Sequence, residues 1–474
     1  MVYRVIFLLC LISGTIANDT KSPRIVIVGG GSSGIAAASK LLENGFQNVL
    51  ILEAENRIGG RVHTVKFDDY MIDLGAQWVH GEKNNVVYEI VAPMNLTDHS
   101  DPYEDEMYSS TGELIDPTIA KNLTKTFEQY LDTITDIRLN NCQQSTGECL
   151  ENKYEFRIHA LVTMKEQFLW HCNLLQISLE PADSWYDVSA KGYFDYEPNE
   201  GDHVINWKER GYGTILDILM DELPVLNKTI LNAEVTKVDY SNEDNTVKLT
   251  THDGKEYMAD HVIMTPSLGV LKAQHETLFN PPLPESKVKN IKALGFGNAC
   301  KIFMAFNDTW FNPKGLKNGG YRILWSMEER KRLDSNPKTR WMPYSIGFFF
   351  VEHKPRLMYI WVSGKGARLM DDLTDDEVYE QVTKMLVDLL SKWPQNKHFR
   401  GVYSYRSMET VRMNASATQL SEPITKMGKP IILFGGEATI EHYFATVNGA
   451  IGTGWREAER LINLYDNHNS APKV

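Results

Sequence analysis

The stretch "RIVIVGGGSSGIAAASKLLENGFQNVLILEAENRIGGRVHT", residues 24–64, decides the fold. It predicts a buried strand from Arg24 to Val28, a helix from Ser33 to Leu42 and a second strand from Asn48 to Leu52. A glycine-rich turn joins the first strand to the helix. Strand, helix and strand in this order predict a βαβ unit of an α/β fold.

The residues of this turn predict a dinucleotide site. Gly29 allows the tight turn, Gly31 lets the backbone approach a pyrophosphate, and Gly34 lets the helix lie close to the strand. The start of the helix, at Ser33, offers unpaired N–H groups to phosphate oxygens. Glu53 follows the second strand, about 20 residues past the glycines, where an acid accepts hydrogen bonds from a ribose.

Composition narrows the class of protein. The chain has 474 residues, 42% hydrophobic and 23% charged, which is ordinary for a folded protein of two domains or one with insertions. A net charge of −13 without a basic stripe argues against nucleic acid as a partner and favours cationic ligands. No CxxC pair or His/Cys cluster has metal spacing, so no metal site is expected.

The first 17 residues resemble a cleaved secretory signal. Arg4 precedes an apolar stretch from Val5 to Ile12, and Thr15 and Ala17 have the spacing of a signal-peptidase site. An uncleaved anchor is the alternative. No later run of about 18 apolar residues occurs, so we expect a secreted, extracellular protein without stable membrane insertion.

Cysteines and glycosylation sequons agree with export. The segment "CQQSTGEC" could close a disulfide between Cys142 and Cys149. Six N-x-S/T sequons would permit a glycoprotein, at Asn18, Asn95, Asn122, Asn227, Asn307 and Asn414.

Two further motifs specify the kind of dinucleotide. "RIGGR" (57–61) adds a second glycine pair and an arginine that can reach the same pyrophosphate, and "DLGAQWVHG" (73–81) follows it. Enzymes that bind nicotinamide dinucleotides do not need this second pyrophosphate-binding motif. The arrangement resembles the flavin-containing amine oxidase superfamily, which implies FAD, held non-covalently because no C-terminal cysteine motif for covalent attachment is visible.

The resemblance assigns cofactor contacts residue by residue. Glu53 would hold the adenosine ribose and Arg61 the pyrophosphate, while Gly75, Ala76 and Trp78 would line the flavin ring. The residues implied to contact FAD are Gly29, Gly31, Ser33, Gly34, Glu53, Gly60, Arg61, Gly75, Ala76, Trp78, Val235, Glu437, Thr446 and Val447.

The alternation of helical and strand-like patterns predicts interleaved domains. We expect an α/β fold in which a Rossmann-like FAD-binding domain is interleaved with an α+β substrate-binding domain. The FAD-binding domain would comprise residues 23–85, 206–290 and 406–466, and the substrate domain a helical part at 86–205 and a sheet part at 291–405.

One lysine lies in an apolar strand. "NACKIFMAF" (298–306) places Lys301 where an ammonium group is costly to bury. The segment resembles the part of polyamine oxidases that carries a lysine bonded through water to flavin N5, which implies a catalytic role in positioning the hydrolytic water. A lysine that snorkels to solvent is the alternative.

Three residues are candidates for substrate binding. His80 and Thr446 are similar to the animal branch of the polyamine oxidases, and Glu180 resembles an acid that binds a distal substrate nitrogen. The alternative for His80 is a loop histidine whose hydrogen bonds are satisfied within the protein. The alternative for Glu180 is an ordinary surface glutamate.

Together with the signal segment, the resemblance implies a secreted polyamine oxidase acting on a small cationic amine and O2. Hydride would pass from an amine α-carbon of spermine, spermidine or an acetylated polyamine to flavin N5, followed by imine hydrolysis to aldehyde and amine, and by reoxidation that yields H2O2. The stretch at 403–418 departs from the family pattern, with Tyr405 and Arg406 in a tryptophan region. Two alternatives therefore stay open, a secreted L-amino acid oxidase using Arg406 or Arg412, and a catalytically inactive flavin-binding protein.

Overall fold

The computed structural model describes residues 23–126, 144–149, 164–190, 199–221, 223–243, 246–390, 416–426 and 429–432, with the single residues 439, 441, 456 and 460. The chain divides into two compact units, residues 1–110 with 114–378, and residues 111–113 with 379–474. No helix of the described ranges is long and apolar enough to cross a bilayer.

The secondary structure mixes helices and strands along the whole described chain. The strands are β1 (Ile25–Val28), β2 (Val49–Leu52), β3 (Thr64–Phe67), β4 (Tyr70–Asp73), β5 (Asp98–His99), β6 (Glu104–Ser109), β7 (Ile205–Asn206), β8 (Thr229–Ile230), β9 (Val235–Asp239), β10 (Val247–Thr251), β11 (Glu256–Ala259), β12 (His261–Met264), β13 (Phe279–Asn280), β14 (Ala299–Ala305), β15 (Gly319–Leu324), β16 (Ser345–Phe350), β17 (Leu357–Ser363), β18 (Ile424–Lys426) and β19 (Lys429–Ile432). The helices are α1 (Ser32–Glu43), α2 (Val86–Val91), α3 (Lys165–Leu179), α4 (Thr214–Met220), α5 (Leu268–Leu278), α6 (Glu285–Ala293), α7 (Met327–Asp334), α8 (Lys365–Leu369), α9 (Asp375–Leu390) and α10 (Ala417–Leu420).

A parallel sheet of order β12-β1-β2-β8 forms the base of the first unit. The strands β1 and β2 pair in register from Ile25 with Val49 to Val28 with Leu52, and α1 is the connection between them. Ile27 and Ile51 are fully buried, because a parallel sheet is covered on both faces and its strands are apolar throughout. The predicted βαβ unit is confirmed.

A second sheet has the order β11-β10-β9-β13. The Asp253-Gly254 pair in the sequence predicts a hairpin, which the structure confirms between β10 and β11. The apolar segment "HVIMTPSLGVL" (261–271) predicts a strand along its whole length, and that prediction is wrong. The strand β12 ends at Met264, and Ser267 begins α5 by accepting a hydrogen bond from the N–H of Val270 at 3.2 Å. A serine before an apolar run is a helix cap, which outweighs the strand propensity of the valines.

The third sheet, β14-β17-β16-β15-β6, carries Lys301 on its edge strand β14. The antiparallel register places Lys301 opposite Trp361, and α3 packs across β15, β16 and β17. Strand β6 runs parallel to β15, so the segment predicted as the helical part of a substrate domain also supplies a strand. Its sequence, EDEMYS, has too little apolar alternation to indicate one.

In the second unit the described residues form the larger part of α9, the helix α10 and the antiparallel pair β18–β19. Ser416 begins α10 by accepting from the N–H of Gln419 at 3.1 Å. Several predicted residues lie outside the described ranges: the signal segment 1–17, Cys142, Tyr405, Arg406, Arg412, Glu437, Thr446 and Val447.

Candidate active site

The turn between β1 and α1 can be built only from glycine at two positions. Gly29 has φ of +107°, a conformation that side chains rarely adopt. A Cβ atom on Gly34 would overlap the carbonyl oxygen of Gly29, so the first turn of α1 lies directly on the end of β1. This contact brings the N-terminus of α1 to the carboxyl edge of the parallel sheet.

A second turn, residues 59–60, faces the first. The N–H of Gly59 donates to the carbonyl of Gly30 at 2.8 Å, and Gly31 forms a parallel bridge with Gly59. A Cβ on Gly31 would meet only the Gly59 carbonyl oxygen, at 3.8 Å, so open space remains above the turn. Next to it, the side chain of Arg61 is exposed, and the Arg61 carbonyl accepts from the N–H of Ala76 at 3.1 Å.

Glu53 lies at the end of β2 and is only 8% exposed. Its carboxylate accepts from the N–H of Gly30 at 2.5 Å and from the N–H of Glu55 at 2.8 Å. A carboxylate has about four acceptor sites, so positions remain for two ribose hydroxyls. The chain returns to this acid at Ala233, whose N–H donates to the Glu53 carbonyl, two residues before the predicted adenine contact Val235.

These features fit the phosphates and ribose of a dinucleotide. The first intrahelical bond of α1 joins the N–H of Ile35 to the Gly31 carbonyl, and the N–H groups before it, including that of Ser33, have no partner within the helix. They point out of the helix N-terminus, where the helix dipole favours negative charge. The turn, the space above Gly31 and the Glu53 carboxylate therefore lie along one edge.

Lys301 is directed into the protein and not to solvent. Its Nζ donates to the carbonyl oxygens of Asp73 and Gly75, both at 2.7 Å, and to Oε1 of Gln77 at 3.0 Å. The three acceptors belong to the end of β4 and the segment after it, which is the predicted flavin-contacting segment. The structure thus joins Lys301 to that segment.

Three rings surround the ammonium and are called the aromatic box: Trp78, Phe303 and Trp361. Their centroids lie 5.8, 5.8 and 5.9 Å from Lys301 Nζ. Tyr359 closes the group by packing against Trp78 at 6.4 Å. Rings at this distance attract a cation through their quadrupoles, and the attraction partly offsets the cost of removing the ammonium from water.

Burial lowers the pKa of Lys301 to about 8, although the charges of Asp73 and Cys300 act in the opposite direction. Asp73 itself is buried, and burial raises its pKa in spite of hydrogen bonds from Thr64 and from the N–H of Tyr212. A lysine that titrates near neutral pH can hold or release a proton under ordinary conditions. This property favours a chemical role over a purely structural one.

Two of the three predicted substrate residues, His80 and Glu180, lie within the described ranges. His80 is exposed, two residues beyond Trp78, and its Nδ1 bonds the carbonyl oxygen of His203 at 2.5 Å. Glu180 follows α3, in a turn that packs closely on Gly297. A side chain at position 297 would overlap the carbonyl oxygen of Pro181. Burial raises the pKa of Glu180. Neither residue contacts the ammonium.

Sequence reasoning missed Gln77, Phe303 and Trp361. Phe303 is two positions from Lys301 on the same strand, so strand periodicity could have indicated that both side chains share a face. Trp361 is opposite Lys301 only through the register of β14 and β17, for which the sequence carries no signal. No group of three or more His, Cys, Asp or Glu residues within the described ranges could hold a metal ion.

Comparison with known proteins identifies the class. The family described as flavin containing amine oxidoreductase matches residues 32–462, and the chain belongs to it. The protein is accordingly an FAD-dependent amine oxidase, with FAD as its cofactor.

Within this class the chain is similar to three relatives, each of which aligns with 94% of this chain. The identity is 26% to the peroxisomal N(1)-acetyl-spermine/spermidine oxidase of Bos taurus, of which 96% is covered. It is also 26% to the probable polyamine oxidase 5 of Arabidopsis thaliana, covered over 99%. It is 27% to the lysine-specific histone demethylase 2 of Homo sapiens, covered over 54%. These animal and plant oxidases are equally similar, so overall identity does not test the animal-branch interpretation of His80.

Proposed function

We propose that this amine oxidase acts on polyamines: spermine, spermidine or an acetylated form. The observation that carries the proposal is the Lys301 ammonium, held at 2.7 Å from the Gly75 carbonyl inside the aromatic box. The names of two of the three relatives support the substrate class, and the net charge of −13 favours a cationic substrate. Neither alternative function has comparable support.

The chemistry that FAD supplies when bound is acceptance of a hydride from the amine α-carbon and delivery of the electrons to O2. The described residues would position and protect that reaction. The turn around Gly31, the carboxylate of Glu53 and the side chain of Arg61 would hold the dinucleotide, non-covalently. The aromatic box would keep bulk water away, and Lys301 would exchange one of its three present acceptors for the water that hydrolyses the imine, whose proton Nζ could carry.

His80 and Glu180 would bind the two ends of an extended substrate. His80 is exposed near Trp78, and the Glu180 turn packs beside the start of the strand that carries Lys301. Within the described ranges no ion pair engages the Glu180 carboxylate, which leaves it able to meet a substrate ammonium. A cation there would stabilise the charged form, against the effect of burial.

We also propose the interleaved architecture, with the boundaries expected from the sequence. Strands β8 and β12, from residues 206–290, pair with β2 and β1, from residues 23–85. Strand β6, from residues 86–205, pairs with β15, from residues 291–405. Each of these two sheets is thus completed by a segment distant in sequence, as interleaving requires.

We also propose that the first 17 residues are a signal that directs export and is then cleaved. Cys149 is disulfide-bonded, and disulfides persist mainly in oxidising compartments. Expression in a secreting cell, followed by N-terminal sequencing of protein from the medium, tests it. A mature chain that begins near Asn18 is expected, whereas retention of the intact N-terminus inside the cell would contradict it.

The deciding experiment mixes the oxidised enzyme anaerobically with an amine panel and follows bleaching of the flavin. The panel comprises spermine, spermidine, N1-acetylspermine, L-leucine, benzylamine and a methyl-lysine peptide. Rapid bleaching by a polyamine is expected. Bleaching by L-leucine alone would favour the L-amino acid oxidase alternative, bleaching by the peptide alone a demethylase, and none by any amine the inactive flavoprotein.

A further inference from the structure

The three acceptors around Lys301 are not equivalent. The Asp73 and Gly75 oxygens are backbone carbonyls held by the chain, since strand β4 ends at Asp73 and the N–H of Ala76 bonds the Arg61 carbonyl. The third acceptor, Oε1 of Gln77, is a side-chain amide. Only this one can change its orientation without moving the backbone.

The protonation state of the lysine decides what its partners must do. An ammonium group has three N–H donors, which match the three acceptors at 2.7, 2.7 and 3.0 Å. A neutral amine has two donors and one lone pair, so one of its three partners must become a donor. A backbone carbonyl cannot do so, whereas a glutamine amide can rotate by half a turn and present its NH2 group.

We propose that Gln77 is a positioning residue for Lys301, whose amide accepts from the ammonium and turns over to donate to the neutral amine. Gln77 would thereby let a partly buried lysine gain and lose its proton without leaving a polar atom unpaired, which is costly away from water. That the titration serves amine oxidation rests on the proposed function. The pairing with Gln77 does not.

The other charged and titratable groups around Lys301 stay the same in the Gln77 variants. Asp73 and Cys300 are the titratable groups whose charges act on it. Lys354, which donates to the Lys208 carbonyl at 3.0 Å, acts on Asp73 and so only indirectly. None of the three is altered when Gln77 is replaced.

The experiment measures the titration of Lys301 directly. Competitive acetylation with acetic anhydride over a pH series, read by mass spectrometry of the Lys301 peptide, gives its midpoint in the FAD-loaded and the unloaded protein. Gln77→Glu can only accept and adds a negative charge, so we expect the midpoint to rise by about 1–3 pH units. Gln77→Leu removes the third acceptor and should lower the midpoint. The control Gln47→Glu adds the same charge at an exposed loop position and should leave the Lys301 midpoint unchanged.

An unchanged Lys301 midpoint in Gln77→Glu would overturn the inference. If that variant does not fold, Gln77→Leu decides alone, with a fall supporting the inference and no change overturning it. The pH profile of substrate turnover distinguishes the two proposals. If the midpoint moves and the profile does not, the pairing stands and the role of Lys301 in turnover fails. If Lys301→Met abolishes turnover while the midpoint in Gln77→Glu stays fixed, the function stands and the pairing fails.

Discussion

The glycine turn between β1 and α1 and the aromatic box around Lys301 differ in the sequence distance between the residues that form them. Gly29, Gly31 and Gly34 fall within six residues of one another, and an added Cβ on Gly31 or Gly34 would first meet backbone atoms. Lys301, by contrast, bonds acceptors that lie 224 to 228 positions earlier. The first site depends on the absence of side chains, and the second on side chains that only packing brings together. Substitutions should therefore fail differently in the two regions.

The largest effect should follow Gly34→Val. Its Cβ would overlap the Gly29 carbonyl, and neither the strand nor the helix can yield without displacing the other. We expect a loss of stability above about 4 kcal/mol, with FAD binding abolished. Thermal unfolding and the flavin spectrum of the purified protein measure both. Gly295→Ala is the control, since nothing lies within 4 Å of its added Cβ. A yellow, folded Gly34→Val protein would contradict the close contact.

Lys301→Met should keep the fold and the yellow FAD but slow turnover. Removing a group that holds or moves a proton costs about 10²–10⁴-fold, and the apolar methionine suits the aromatic box. The ionisation near pH 8 should also vanish from the rate profile. Stopped-flow and steady-state peroxide assays measure the loss. The exposed Lys287→Met is the control, and normal turnover in Lys301→Met would reduce the residue to a structural cation.

Glu53→Gln should weaken FAD binding while leaving the chemistry intact. The change removes a buried charge that accepts two backbone N–H bonds and two expected ribose bonds. Bonds to charged groups contribute about 1.5–3 kcal/mol, so the dissociation constant for FAD should rise by about 10–150-fold. Titration of the apoprotein with FAD measures it, with Glu43→Gln as the exposed control. Unchanged affinity would remove Glu53 from the site.

The smallest effect concerns His171, on the helix α3 that covers the sheet of Lys301. Burial, aided by the charge of Arg322, lowers its pKa from 6.5 to about 3. Between those values the unfolded chain binds a proton that the folded chain does not, so the stability present above pH 6.5 is lost as the pH falls toward 3. From pH 7.5 to pH 5 the loss from this one residue is about 2 kcal/mol.

Urea unfolding at both pH values tests this linkage. His171→Leu should lose less stability on acidification than the parent protein, by that same amount. The exposed His252→Leu should behave like the parent. Equal acid sensitivity in parent and His171→Leu would show that His171 titrates normally in the folded state.

The accuracy of sequence-based prediction follows the same division between near and distant contacts. The β1-α1-β2 unit and the hairpin at residues 253–254 were predicted within a residue or two, because turn glycines and apolar runs act locally. Strand β6 was missed, since its partner β15 begins more than 200 residues later and its acidic residues hide the pattern. Lys301 was noticed as a misfit, but Gln77 was not, because nothing around it in sequence indicates a partner on β14.

From the sequence alone one can infer a dinucleotide-binding α/β unit, a second pyrophosphate-binding motif typical of flavoproteins and a lysine in an apolar strand. Those inferences rest on backbone geometry and on the cost of burying charge, which depend on residue type and near neighbours. Only the tertiary structure decided that the lysine points inward, which carbonyls it bonds and which rings surround it. Strand register and sheet order determine those contacts, and both arise from packing between segments that the chain brings together only when it folds.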